Sequence, residues 1–352
     1  MNCIARVAAT VVFLLLPIAS LQAAKPNVIL IMTDDQGYGD LSCHGNPTQK
    51  TPNLDRLYAE SVRFTDFHVA PFCTPTRAAL MTGRYPARTG AYRTSSGRTS
   101  LHPREKTLGD LFKRNGFATG MFGKWHLGDC APSTPMDKGF EHCVWHRCGG
   151  VTQISDYWTN DYFDDTYLVG DRWTKFEGYY TDVWFDEAMK FMSSAAENTD
   201  GDKPFFVYLA TNAPHGPYLV APKWKQPFLN MGMDNSQASF KGMVANFDWN
   251  LGRLLKFLEQ KELADDTILI FLTDNGTAAG AKFDKGTRIY GWPIDPRENA
   301  NMRGGKSSAY DGGHRVPLFI RWPKGKLGAS REIDTLTANF DIKQTLMELC
   351  GL

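Results

Sequence analysis

The residues of this chain with the most chemical content sit in one pentapeptide, Cys73-Thr74-Pro75-Thr76-Arg77. Thr74 suits a helix N-cap and Pro75 the first helical position, so the run reads as a loop entering a helix. Cys73 then lies where free backbone N–H groups and the helix dipole favour negative charge, with Arg77 one turn on beside the same spot. A nucleophile, an anion-binding helix start and a guanidinium together point to attack on an oxyanion substrate. A lone cysteine is also a common buried small hydrophobe. A thiol phosphatase would carry Cys-x5-Arg, whereas the spacing here is Cys-x3-Arg. The choice rests on what else the chain brings to the same place.

Asp34-Asp35 ends one apolar run and Asp274-Asn275 ends another. Adjacent carboxylates repel, so a buried pair calls for a cation. Three carboxylates with an amide oxygen suit Ca2+ or Mg2+ rather than Zn2+. Lys124 and His126 stand two apart on an extended segment, which puts both on one face. His215 follows Asn212-Ala213-Pro214, and Lys306 precedes Tyr310 to Pro317. Residues 28–32, 118–122, 205–210, 267–272 and 317–321 read as buried strands, and 107–115, 180–196, 239–261 and 340–349 as helices. This alternation predicts an α/β fold with a mostly parallel central sheet and helices on both faces. Asp34-Asp35, Lys124, His126, His215 and Asp274-Asn275 fall just past carboxyl ends of strands, the edge where open α/β sheets bind ligands.

In this order the segments resemble formylglycine-dependent sulfatases of the arylsulfatase type, within the alkaline phosphatase-like superfamily. The matching pieces are Pro26-Asn27-Val28 to Asp34-Asp35, Thr51-Pro52-Asn53-Leu54-Asp55, Cys73 to Arg77 followed by Thr82-Gly83-Arg84-Tyr85-Pro86, Gly123 to Gly128, Asp274-Asn275-Gly276, and Lys306 to Pro317. The resemblance implies that fold and the hydrolysis of sulfate esters. It implies that a maturation enzyme oxidises Cys73 to formylglycine, whose hydrate attacks sulfur and passes through a sulfo-enzyme. By the same resemblance Asp34, Asp35, Asp274 and Asn275, with residue 73, hold a divalent ion, usually Ca2+, with Mg2+ as the alternative. Arg77 assists ionisation of the nucleophile, Lys124 and Lys306 neutralise the sulfuryl oxygens, and His215 with Lys306 protonates the leaving group. His126 takes the proton that releases sulfate, and Arg315 joins Lys124, His215 and Lys306 in binding substrate. Two alternatives stay open. A phosphatase or phosphonate hydrolase of the superfamily would favour a Ser or Thr nucleophile or a second metal site. A non-catalytic sulfated-glycan-binding relative would have lost parts of the constellation.

Residues 1–24 read as an export signal: Arg6, an apolar stretch over 7–16, and small residues ending at Ala23-Ala24. This predicts a periplasmic or secreted protein, with residues 25–352 as the catalytic domain. The 39 Lys and Arg balance 38 Asp and Glu and are scattered, which argues against nucleic acid or a membrane surface as partner. Cys130, Cys143 and Cys148 are the candidate source of one disulfide, and Asn275-Gly276-Thr277 is the only glycosylation sequon. An aromatic-rich insertion at about 141–184 carries Trp145, Tyr157, Trp158, Tyr162, Phe163, Tyr167, Trp173, Tyr179 and Tyr180. These rings either stack on the sugars of a sulfated carbohydrate or pack the insertion. Asp161, Asp164 and Asp165 would repel a densely sulfated chain. Two features depart from the family pattern: Asp311-Gly312-Gly313 replaces the usual Glu-Gly-Gly, and relatives commonly continue into a small C-terminal subdomain. The helix at 340–349 and the strand at 317–321 are therefore expected to leave apolar flanks uncovered, with poor solubility.

Overall fold

The computed structural model describes residues 25–94, 99–197, 203–279, 282–284, 287–289, 295–327 and 330–352. The export signal read at 1–24 lies outside them. The long apolar runs form β1 (Asn27–Thr33), β4 (Ala118–Lys124), β8 (Phe205–Ala210) and β9 (Thr267–Thr273), buried along nearly their whole length. Continuous rather than alternating burial marks strands covered on both faces. Shorter strands are β2 (Val62–Phe64), β3 (Phe67–His68), β5 (His142–His146), β6 (Thr166–Val169), β7 (Arg172–Lys175), β10 (Lys282–Asp284), β11 (Thr287–Ile289), β12 (Leu318–Arg321), β13 (Arg331–Ile333) and β14 (Thr337–Ala338).

The main sheet has the order β13-β2-β12-β9-β1-β8-β4-β5-β6-β7. Its centre, β9 to β5, is parallel, as expected, while β12 at one side and β6 and β7 at the other are antiparallel. Register aligns the carboxyl ends: Thr33 pairs with Thr273, Gly123 with Ala210, and Lys124 with His146. The segments beyond these residues emerge along one edge.

The α-helices are α1 (Pro52–Ala59), α2 (Cys73–Thr82), α3 (Leu108–Arg114), α4 (Tyr180–Ala196), α5 (Pro222–Leu229), α6 (Asn235–Gln260), α7 (Asp311–His314) and α8 (Asp341–Leu349). One apolar layer packs Ile29, Ile31, Val207, Leu209 and Phe271 under α1, α4 and α6. The other packs Val28, Leu30, Met32, Phe206 and Ile270 under α2, α3 and α8. Asp234 starts α6 four residues before the expected boundary by accepting from the N–H groups of Ser236 and Gln237. The start of α2 also differs from expectation. Helix begins at Cys73 with Phe72 as N-cap, so Thr74 caps nothing. Pro75 still falls in the first turn, where its missing N–H removes no intrahelical bond.

Two further expectations are corrected. β12 is paired on both edges, by β9 and β2, and α8 buries Ile342 and Leu346 in the second layer. The flanks expected to be bare are therefore filled from within the chain. Cys130, Cys143 and Cys148 are free. Cys143 points into the second apolar layer, Cys148 meets Gln153, and Cys130 is exposed, so their side chains diverge. Asn275 is fully buried, which closes its sequon to glycosylation in the folded chain. No described helix is long and apolar enough to cross a membrane.

Candidate active site

The pairing of Thr33 with Thr273 sets Asp34-Asp35 beside Asp274-Asn275 at adjacent strand ends. The Asp35 N–H donates to Asp274 Oδ1 at 3.1 Å, and Asn275 Nδ2 donates to Asp35 Oδ1 at 3.0 Å. Asp35 takes φ 69°, a left-handed value costly for a residue with a Cβ and typical of functional sites. The α2 N-terminus faces this group. The Sγ of Cys73 and one oxygen each of Asp34 and Asp274 lie within 4.8 Å of one another.

Three buried cations compensate three buried carboxylates. Arg77 donates Nε and Nη2 to Asp274 Oδ2 at 3.2 and 2.9 Å, and Nη1 to the Lys124 carbonyl and the Tyr208 hydroxyl. Lys124 Nζ donates to Asp34 Oδ2 at 2.6 Å, and the Lys306 ammonium pairs with Asp35 Oδ1. Even so, burial raises the pKa of Asp34 against the pull of Lys124. Burial and repulsion from Asp34 push Asp274 up to about 6 against the pull of Arg77. Burial, with Lys124 and Arg77 adding to it, holds His126 well below the usual imidazole range, so this ring is neutral.

Two oxygens remain unsatisfied: Asp34 Oδ1 and Asn275 Oδ1 are buried without a hydrogen-bond partner. Each such atom costs on the order of 1–3 kcal/mol. Their place among three carboxylates makes this donor set a fit for a hard divalent cation.

A cavity of about 480 Å³ opens over the cluster. Cys73, His126, His215 and Lys306 line it, while Asp34, Asp35, Arg77, Lys124, Asp274 and Asn275 lie beneath, fully buried. The Nδ1–H of His215 donates to the Gly216 carbonyl at 2.6 Å, and its Nε2 stands 3.8 Å from Asp35 Oδ2. Arg315 is placed elsewhere. Its Nε and Nη2 donate to the Thr65 carbonyl at 2.9 and 2.6 Å, which ties the chain after α7 to the β2–β3 turn.

Close backbone contacts hold this arrangement. Gly276 donates its N–H to the Gly313 carbonyl, and a Cβ at Gly276 would fall 1.8 Å from the Gly312 oxygen. These glycines thus press the β9 end against the loop that carries Lys306, whose N–H donates to the Thr277 carbonyl. Asp311 is exposed, so its replacement of Glu leaves this contact unchanged. Sequence reasoning missed Tyr208, which is hidden in a run legible only as apolar. It also missed Gly149 and Gly150, which run beside both histidines. A Cβ at Gly149 would lie 2.7 Å from His126 Nε2, and one at Gly150 would lie 3.3 Å from His215 Nδ1. The paired glycines after β5 were the available signal.

The Sulfatase family profile matches residues 26–352. The chain is 31% identical to the N-acetylgalactosamine-6-sulfatase of Homo sapiens over 93% of its own length, and it spans 62% of the length of that relative. It is 29% identical to the steryl-sulfatase of Homo sapiens, with 94% and 67% of the two chains covered. Among solved structures, Ps i-CgsB in complex with k-i-k-neocarrahexaose superposes with a TM-score of 0.80 at 30% identity, covering 93% of this chain and 72% of that one. With an acidic strand-edge cluster facing a Cys-bearing helix start, and a profile match that runs through both, this chain belongs to the sulfatase family.

Proposed function

We propose that this chain hydrolyses sulfate esters of sugars, with Cys73, oxidised to formylglycine by a maturation enzyme, as the nucleophile-bearing residue. The observation that carries the reading is the position of Cys73. Its side chain lies between the Asp34 and Asp274 oxygens and the cavity, at a helix start that favours developing negative charge. A divalent ion, Ca2+ or else Mg2+, bound by Asp34, Asp35, Asp274 and Asn275 would supply positive charge to the nucleophile and to the sulfate oxygens.

The chain's own residues do the rest. Arg77, held by Asp274 and Tyr208, fixes a cation under residue 73. Lys306 offers an ammonium to sulfuryl oxygens from the cavity wall and Lys124 adds charge from below. His126 is neutral, and its Nδ1 is buried without a partner, which suits a proton acceptor. His215 keeps one proton on Nδ1 and turns Nε2 toward Asp35, from where it can hold a second proton for the leaving oxygen. The sugar class draws support from the substrate named for the galactosamine sulfatase and from the neocarrahexaose bound in the solved relative. Export to a periplasmic or extracellular space is part of the same proposal, from residues 1–24. A phosphatase is the second reading, because His215 approaches Asp34 and Asp35 closely enough for a second ion.

Purified protein with Ca2+ should release sulfate from 4-nitrophenyl sulfate and from sulfated glycans. Turnover of 4-nitrophenyl phosphate alone would replace this reading with the phosphatase.

A further inference from the structure

The aromatic insertion divides into two sets of rings. Trp145, Tyr162, Tyr167, Tyr179 and Tyr180 are buried and belong to the core. Tyr157 and Trp173 are 40% and 38% exposed, and Trp158 is 86% exposed. Tyr157 and Trp158 follow Gln153, which lines the cavity, by a few residues in the chain. β4 and β5 run parallel with Lys124 opposite His146, so Arg147 leaves the sheet on the edge that carries the carboxylate cluster. Gly149, two residues on, lines the cavity against His126, and Thr152 and Gln153 continue that wall toward Tyr157.

Arg147 and the exposed rings meet. The guanidinium carbon lies 5.5 Å from the centre of the Trp173 ring, and the Trp173 and Tyr157 ring centres are 5.1 Å apart. Arg147 makes no ion pair among the described residues, and its buried Nε–H has no hydrogen-bond partner. Of the acids expected to repel a sulfated chain, Asp165 is buried, while Asp161 and Asp164 are exposed and each accepts from a backbone N–H. Asp165 accepts from the N–H groups of Asp161 and Tyr162 and from the Tyr167 hydroxyl, Asp164 accepts from the Gly178 N–H, and Asp161 accepts from the Phe163 N–H. Asp129 is engaged by the Cys148 N–H and by Ser155. Next to the cavity-lining Gly149 segment, the chain thus carries a guanidinium without an ion pair among the described residues, beside two partly exposed aromatic rings. A planar guanidinium pairs with sulfate oxygens through two parallel hydrogen bonds, and aromatic faces pack against sugar rings.

Resting on the sugar-sulfatase reading, we infer that Arg147, Trp173 and Tyr157 form a subsite for an anionic sugar unit next to the one whose ester is cleaved. The substrate is then an oligosaccharide with at least one further charged unit, and these residues set specificity without taking part in the chemistry.

The test compares wild type, Arg147→Ala, Arg147→Lys and Trp173→Ala on 4-nitrophenyl sulfate and on carrageenan, chondroitin sulfate and heparin hexasaccharides. The hexasaccharide that wild type cleaves fastest serves as the probe. Both alanine variants are expected to lose about tenfold or more in kcat/KM on that hexasaccharide, the scale of one charge-assisted hydrogen bond, mainly through KM. Their turnover of the aryl sulfate should match wild type, which also reports that they are folded, and Arg147→Lys should recover part of the loss. Three outcomes would overturn the subsite: unchanged hexasaccharide kinetics, equal losses on both substrates, or a wild type that cleaves the aryl sulfate but no hexasaccharide. A wild type that releases sulfate from nothing would instead sink the sulfatase reading beneath it.

Discussion

Two of the regions of this molecule that bury carboxylates are finished differently. Asp248 on α6 sits against the start of α1 and accepts from the N–H groups of Asn53 and Leu54 at 3.1 and 2.8 Å and from Asn53 Nδ2 at 2.9 Å. These are the donors that a helix start leaves without intrahelical partners. At the strand edge, Asp34, Asp35 and Asp274 meet three cations and still leave Asp34 Oδ1 and Asn275 Oδ1 without a donor. Burial raises Asp248 and Asp274 alike, each to about 6, so the depth of burial does not separate them. Satisfaction does. A saturated carboxylate joins two helices, whereas an unsaturated group keeps open positions for something that binds.

The sharpest way to break this contrast is to remove a residue from each side. Cys73→Ala should abolish sulfate release and leave the melting temperature near wild type, since the thiol's polar contact is a long approach to Thr94. Asp34→Asn keeps shape but not charge. It should lose most Ca2+ binding in titration calorimetry and most turnover, with little change in the melting temperature measured in chelator. Wild type should gain about 2.7 kcal/mol from Ca2+ at a hundred times its Kd, and the variant should gain far less. If Asp34→Asn instead unfolds the protein while the remaining folded fraction binds Ca2+ normally, the strand-edge cluster is structural.

His215→Ala tests the cavity wall above that cluster. Loss of general acid catalysis typically costs about 10²–10⁴-fold, and least where the leaving oxygen needs no proton. A sugar sulfate should therefore suffer far more than 4-nitrophenyl sulfate, and equal losses would make His215 a binding residue only.

The smallest effect belongs to the saturated side. Asp248→Ala should cost about 1–3 kcal/mol in chemical denaturation, the price of leaving buried N–H donors unpaired, with kcat/KM unchanged. Its pH dependence carries a sign opposite to that of a salt-bridged aspartate. The folded-state pKa, raised from 3.8 to about 6 chiefly by burial, means that folding favours the protonated form. Asp248 thus contributes stability that is present at low pH and lost as pH rises through about 6. Asp248→Asn should flatten that part of the stability curve, and a curve unchanged between pH 4 and 7 would contradict the assignment.

Much of the strand edge was legible in the sequence because long apolar runs announce buried parallel strands, and the polar residues that end them must emerge together. His126 and His215 on the cavity wall, and Asp34, Asp35, Lys124, Asp274 and Asn275 beneath it, were named from such positions, whereas Cys73 and Arg77 were named from a helix-start pentapeptide and Lys306 from its place before the strand at 317–321. What stayed hidden depends on short or distant partners. β2 spans Val62–Phe64, too few residues for any period to show, yet it covers the β12 edge expected to be bare. Arg315 lies beside the glycines that brace the Lys306 loop, but its guanidinium bonds to a carbonyl in another turn. The rings of the insertion could not be sorted into buried and exposed without knowing that β6 and β7 fold back antiparallel on β5.

Peptide mass spectrometry of residue 73, paired with turnover of the same preparation, tests the central claim most directly. The account predicts an aldehyde in place of the thiol in the tryptic fragment covering Cys73, in a fraction that tracks specific activity across preparations. Full sulfate-releasing activity from protein in which residue 73 is entirely thiol would contradict it.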